Sequence, residues 1–358
     1  MSIVKIEEVK YREFGNCVRI YNEVAEVFVT LDMGPRIIKY NLLGKENVFC
    51  EHLTEEPQVK ETGWKIIGGH RLWHAPESIP RTYELDNKKL EYTLIENGIQ
   101  ITCDIEKTTG LHKNLIIILS ENTAETAVIH DIANKGVWTV EYAVWALSVM
   151  AVGGVEIIPT NQNDSGQLHN TNISLWSYAK MNDDRVYWGD KYITLRQDPN
   201  ATTAFKMGTN NNHAWAAYIN NGCAFVKRYA HFSDEKYPDN NVSFETYTND
   251  FMLEVETLSP IAEVNPGEML EHIEVWNITE DIQAPENTEE SIQAVVDKLN
   301  IPASLTKEND KHSCGCGDDG CDDDGCGCGD DCDCGDDCNC DGEDHKHNHD
   351  DGDCGCGC

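Results

Sequence analysis

Residues 92–105, YTLIENGIQITCDI, read as two short strands around a tight turn. Tyr92–Ile95 and Ile99–Ile105 are rich in β-branched and aromatic side chains. Asn97-Gly98 between them is the dipeptide that best tolerates the positive φ angles of a type I′ hairpin. The same grammar recurs along the chain. Cys17–Tyr21 and Val24–Leu31 flank Asn22-Glu23, and Leu115–Leu119 and Ala127–Ile132 flank a polar turn. Trp215–Ile219 and Cys223–Val226 flank Asn220-Asn221-Gly222, and Phe251–Thr257 and His272–Ile278 alternate near the end. Glu141–Pro159 reads as an apolar strand pair around Gly153-Gly154. Helical periodicity is scarce, and Thr288–Leu299 is its clearest instance. Asn287 or Thr288 can cap it, Glu289 and Glu290 suit its first turn, and Ile292, Val295, Val296 and Leu299 share one face ahead of Pro302. Many short strands without strand–helix alternation predict an all-β sandwich with one short C-terminal helix.

The chain has 358 residues and a formal net charge of −35, unevenly spread. Residues 312–358 hold sixteen acidic side chains and one lysine, and residues 1–311 carry the other −20. A body this negative, with no basic stripe, repels phosphate backbones and anionic bilayers, so no nucleic acid and no membrane partner is expected. No run reaches the roughly 18 apolar residues of a membrane span. MSIVKIEEVKYREFG at the N-terminus lacks an apolar signal core, so a cytoplasmic location is expected, with Cys17, Cys50, Cys103 and Cys223 as reduced thiols. Composition divides the chain into a body at 1–285, a helix and linker at 286–311, and a low-complexity tail at 312–358.

Two stretches of the body carry candidate chemistry. Gly68–Glu77, GGHRLWHAPE, crowds His70, Arg71, Trp73, His74 and Glu77 behind two glycines. Imidazoles pass protons near neutral pH, a guanidinium forks onto hydroxyls or carboxylates, and an indole face suits the C–H face of a sugar ring. A loop with its Trp turned inward and its charges in water would read the same way. Phe251–Glu268, FMLEVETLSPIAEVNPGE, sets Glu254 and Glu256 on one face of a strand and Leu253 and Val255 on the other. Paired carboxylates suit acid–base work, and a solvated outer face would also explain them. Trp145 fits either a core position or a ligand platform. No nucleophile elbow, dinucleotide fingerprint or phosphate loop occurs, so no cofactor is expected for the body.

The body, over roughly residues 5–280, resembles the galactose-mutarotase-like superfamily of aldose 1-epimerases and their sugar-binding relatives, and within it an uncharacterised bacterial branch marked by GGHRLW. Three segments in order carry the resemblance: LDMGPRIIKYNLLGKENVF with Arg36, GGHRLWHAPE, and VETLSP followed by NPGE. The resemblance implies a β-supersandwich with a sugar-sized groove on one concave sheet. It implies Glu256 as the base that takes the anomeric proton, His70 or His74 as acid at the ring oxygen, and Arg36, Arg71, Trp73, Trp145 and Glu254 as substrate contacts. There is one departure. Epimerases carry a second key histidine after their middle strands, and VEYAVWALSVM has none there; Trp145 stands near that position.

The tail offers different chemistry. Cys314, Cys316, Cys321, Cys326, Cys328, Cys332, Cys334, Cys338, Cys340, Cys354, Cys356 and Cys358 alternate with glycine and aspartate, and His345, His347 and His349 lie among them. Thiolates and imidazoles at such spacing favour Zn(II) or Cu(I), although the aspartates oppose thiol deprotonation. The composition resembles metallothioneins, with aspartates where those proteins have lysines. Three functions follow as expectations: a carbohydrate-binding protein, and within that an aldose 1-epimerase acting on a free sugar or sugar derivative; a non-catalytic sugar-binding or sensing protein; and a metal storage or delivery protein acting through its tail.

Overall fold

A computed structural model describes residues 3–162, 169–302 and 305. The expected tail ligands lie outside these residues. The body is a sandwich of two antiparallel sheets. The eleven-stranded sheet runs from Lys5–Lys10 through Asn16–Tyr21, Ala25–Thr30, Ile37–Leu42, Gly69–Ala75, Val140–Met150, Leu253–Leu258, Phe244–Thr248 and Phe205–Thr209 to Ile173–Leu175, with Ala262–Val264 also on Val140–Met150. The ten-stranded sheet runs from Val186–Trp188 through Tyr192–Arg196, Val155–Pro159, Trp215–Asn220, Cys223–Tyr229, Met269–Glu280, Thr126–Asn134, Leu111–Leu119 and Gly98–Thr102 to Tyr92–Ile95. The helix Glu289–Leu299 begins at Thr288, whose side chain accepts from the Ser291 amide at 3.2 Å. Its Ile292, Val295 and Leu299 pack against Trp215, Ile219 and Val226 of the second sheet.

Two turns differ from the sequence reading. Ile95 pairs with Gly98, so Glu96 and Asn97 form the loop and Gly98 opens the next strand. Gly98 is needed there for proximity, because a Cβ would lie 1.9 Å from the Ile117 carbonyl oxygen. Nor do the strands around Gly153-Gly154 pair. Val140–Met150 belongs to one sheet and Val155–Pro159 to the other, so the glycine turn carries the chain across the sandwich.

The core between the sheets is partly aromatic and partly ionic. Trp276 is fully buried among Tyr40, Phe49 and Phe225, with ring centroids 5.5–5.8 Å away. Beside it the Lys227 ammonium lies 2.8 Å from a Glu274 oxygen, both side chains being fully buried. Lys227 also donates to the Val255 carbonyl at 3.0 Å, tying the second sheet to a central strand of the first. Removing one partner of such a pair leaves an uncompensated buried charge, so Lys227→Met is expected to cost about 3–5 kcal/mol in urea unfolding. Lys227→Met with Glu274→Gln should regain much of that. A single-variant loss no larger than a surface substitution's would show that the pair does not hold the sheets.

Candidate functional site

Strand alternation sorts the candidate residues onto two faces. Gly69 has φ of +77°, and a Cβ there would sit 2.4 Å from the Ile37 carbonyl oxygen, so only glycine lets this strand start against its neighbour. In the antiparallel ladders Trp145 opposes Trp73 and Leu258, Leu147 opposes Arg71 and Glu256, and Val149 opposes Gly69 and Glu254. One strand further, Glu245 opposes Glu256 and Tyr247 opposes Glu254; beyond that, Lys206 opposes Tyr247. Opposed residues share a face, so Arg71, Trp73, Trp145, Glu254, Glu256, Glu245 and Lys206 all project from the outer side of the central sheet.

Glu256 is the chemical centre of that face. Its Oε2 accepts from the Trp145 indole at 2.9 Å and from Lys206 at 3.1 Å, while its Oε1 is buried without a partner. Lys206 also lies 2.8 Å from Glu245 and sits over the rings of Trp145 and Trp176, at 4.6 and 4.7 Å from their centroids. Burial pushes the Glu256 carboxyl up to about 7 against the opposing pull of Lys206, and Glu254 adds to the rise. Burial also raises Glu245 well above the usual carboxylate range. For Lys206, burial disfavours the charge, but Glu245 and Glu256 outweigh it and keep the amine well above its ordinary value. One ammonium cannot neutralise two carboxylates, so the pair retains a proton near neutral pH.

Arg71 continues the face. It donates to Glu254 at 2.7 Å and stacks 4.3 Å over Trp73, and its Nε and Nη1 have no partner. Trp73 packs against Trp64, Tyr83 and Trp145 at 4.9–5.4 Å. Tyr83 donates to Glu77, which is exposed at the rim. Trp64 and Tyr83 come from the loops flanking the strand, and with Tyr237 they cover the apolar part of the face. Glu256 itself has no solvent exposure.

His70 and His74 do not share this face. Each lies one residue out of phase with Arg71 and Trp73, so the strand turns them into the sandwich. His70 bonds Ser148 at 2.8 Å and His130 of the other sheet at 2.7 Å. His74 is buried near Tyr142, and neither of its ring nitrogens has a partner. Burial, with neighbouring cations assisting, holds both imidazoles well below their ordinary pKa. The expectation that either histidine faces Glu256 across a groove is corrected by period-2 geometry. Arg36 is set apart from Glu256: it pairs with Asp86 at 2.5 Å and lines a 540 Å³ cavity beside Trp73, Cys103 and Lys113, a cavity that Glu256 does not line. Lys206, Glu245, Trp64 and Tyr83 escaped the sequence reading. Lys206 and Glu245 sit in ordinary strand alternations, FKMGT and FETYT, and only long-range pairing brings them to Glu256.

No protein-family model matches the chain, and no curated protein matches it by sequence. Solved structures do match. A galactose mutarotase-like protein from Lactobacillus casei superposes with a TM-score of 0.50 at 8% identity, covering 74% of this chain and 100% of that one. A "putative aldose 1-epimerase" from Klebsiella pneumoniae gives 0.52 at 11% identity, covering 82% and 86%. A TPR-domain containing protein from Parabacteroides distasonis gives 0.53 at 13% identity, covering 83% of this chain and 50% of that one. At these identities the likeness concerns the fold, and the fold is the galactose-mutarotase-like β-sandwich.

The Glu256 environment is open to direct measurement. Carboxyl carbon NMR should show Glu256 titrating near 7. In Lys206→Met, with the largest opposing influence gone, the midpoint should move higher still. A midpoint in the ordinary carboxylate range in the unmodified protein would contradict this geometry.

Proposed function

We propose that the outer face binds a monosaccharide or sugar derivative and exchanges its anomers, with Glu256 as the base. The observation that carries this is a fully buried carboxyl, poised near 7, with one free oxygen beside an indole wall. Trp73 and Trp145 supply apolar area for the C–H face of a pyranose, while the free N–H groups of Arg71 supply donors for hydroxyls. In this reading ionised Glu256 takes the proton of the anomeric hydroxyl. Protonated Glu245 gives a proton to the ring oxygen as the C1–O bond breaks. The open chain rotates about C1–C2 and recloses from the other side. Two carboxyl groups held in opposite protonation states by one lysine serve this exchange better than two ordinary carboxylates would. Because Glu256 is fully buried, sugar entry requires the side chains that cover it to move aside. The fold shared with mutarotase-like proteins agrees with a sugar ligand.

The test is anomer exchange by NMR across a panel of free sugars and sugar acids. Glu256→Gln should slow exchange by at least ~100-fold. The rate should rise with pH through about 7, because the base acts ionised. Sugar binding without exchange would favour a sensing protein on the same face, and a variant that exchanges as fast as its parent would remove Glu256 from the reaction.

For residues 312–358 we propose thiolate and imidazole binding of Zn(II) or Cu(I), on the strength of the repeated Cys-x-Cys spacing. Metal content of protein with and without this segment is expected to differ by several ions per chain, and equal content would refute it.

A further inference from the structure

The inner face of the GGHRLW strand carries a second cluster that sugar chemistry leaves unused. One donor atom each from His70, His130 and Glu274 lies within 4.8 Å of the others, and all three side chains are fully buried. His70 comes from one sheet, and His130 and Glu274 from the other. Each imidazole is held from behind. His130 Nδ1 donates to the His272 carbonyl at 2.9 Å, so its Nε2 presents a lone pair to the cluster centre. His70 Nδ1 meets the Ser148 hydroxyl at 2.8 Å. Outer contacts of this kind fix the tautomer and aim of metal-binding histidines.

We propose that His70 Nε2, His130 Nε2 and Glu274 Oε2 hold a zinc ion that joins the two sheets. Two imidazole nitrogens and one carboxylate oxygen suit Zn(II), with the fourth tetrahedral position left for a solvent oxygen. The protonation states agree. Burial keeps both imidazoles below their ordinary pKa and thus neutral. Burial disfavours ionised Glu274, but the Lys227 ammonium opposes it and the carboxyl stays below its ordinary value.

Without metal, the two Nε2 atoms share a hydrogen bond at 2.7 Å, and His70 must be its donor because His130 already donates through Nδ1. Zinc requires that proton to move to His70 Nδ1, where Ser148 can accept it, so no net proton is released. It also requires the two nitrogens to part to about 3.3 Å, the spacing set by Zn–N bonds near 2.0–2.1 Å. Glu274 Oε2 already accepts from the Trp276 indole at 2.8 Å and has a second lone pair for the ion. Lys227, 2.8 Å from the other oxygen, repels the ion and keeps its affinity moderate.

The test uses the full chain, stripped of metal and titrated with zinc. In the unmodified protein, the imidazole ¹⁵N signals of His70 and His130 should shift on zinc addition, and the unfolding temperature of the body should rise. His130→Asn, with the tail unchanged, should bind one zinc fewer per chain and lose the rise in unfolding temperature. Signals of His70 and His130 that stay put at saturating zinc would overturn the proposal, whether or not the variant folds. Equal zinc counts in parent and folded variant would overturn it as well.

Discussion

The hydrogen bond from Lys227 to the Val255 carbonyl is the constraint on which both faces of the central sheet depend. Lys227 belongs to the ten-stranded sheet, and Val255 lies between Glu254 and Glu256 in the other. A lysine buried this deeply needs a carboxylate, and Glu274 supplies one at 2.8 Å. Glu274 in turn accepts from Trp276, which anchors the aromatic core, and from Thr257, in the same strand as Val255. One ionic pair thereby fixes the strand from behind. Glu256 can then be held against Trp145 and Lys206 on the outer side without help from solvent.

The outer face sets two cations, Arg71 and Lys206, against three carboxylates, Glu245, Glu254 and Glu256. In water the imbalance would be screened. In the buried face it is not, and the excess negative charge is relieved by protonation. The position of the shared proton follows from pairing geometry. Glu254 has Arg71 alone at 2.7 Å, whereas Glu245 and Glu256 compete for Lys206, so the retained proton belongs to that pair. Two chemically identical side chains then come to share one proton.

Much of the fold was legible in the sequence, and the reason is local. Hairpins such as Trp215–Asn220 with Cys223–Tyr229 announce themselves through turn residues and alternation within a dozen positions. The same local rules place Glu254 and Glu256 together on one face. They also split GGHRLWHAPE, because a seven-residue strand sends His70, Leu72 and His74 one way and Arg71 and Trp73 the other. Treating that stretch as a single polar cluster ignored the period of 2. Lys206 and Glu245 were invisible for a different reason. Their partnership with Glu256 depends on sheet order, and sheet order comes from contacts across the whole chain. The Gly153-Gly154 turn failed likewise, since nothing local distinguishes a hairpin from a crossing between sheets.

The two faces pull stability in opposite directions with pH. Glu256 has a raised folded pKa, so its stabilising contribution is complete below the ordinary carboxylate range and is lost as pH rises toward 7. Glu274 has a lowered pKa, so its contribution is present above that range and is lost as pH falls through the folded value. The inner pair therefore favours neutral and higher pH, where the outer site works against the fold. Ionising Glu256 costs stability, and Lys227–Glu274, paired at the same pH, offsets it from the other side of the strand. A buried ion pair, which an apolar core could replace, thereby stands behind a carboxyl whose ionisation works against the fold.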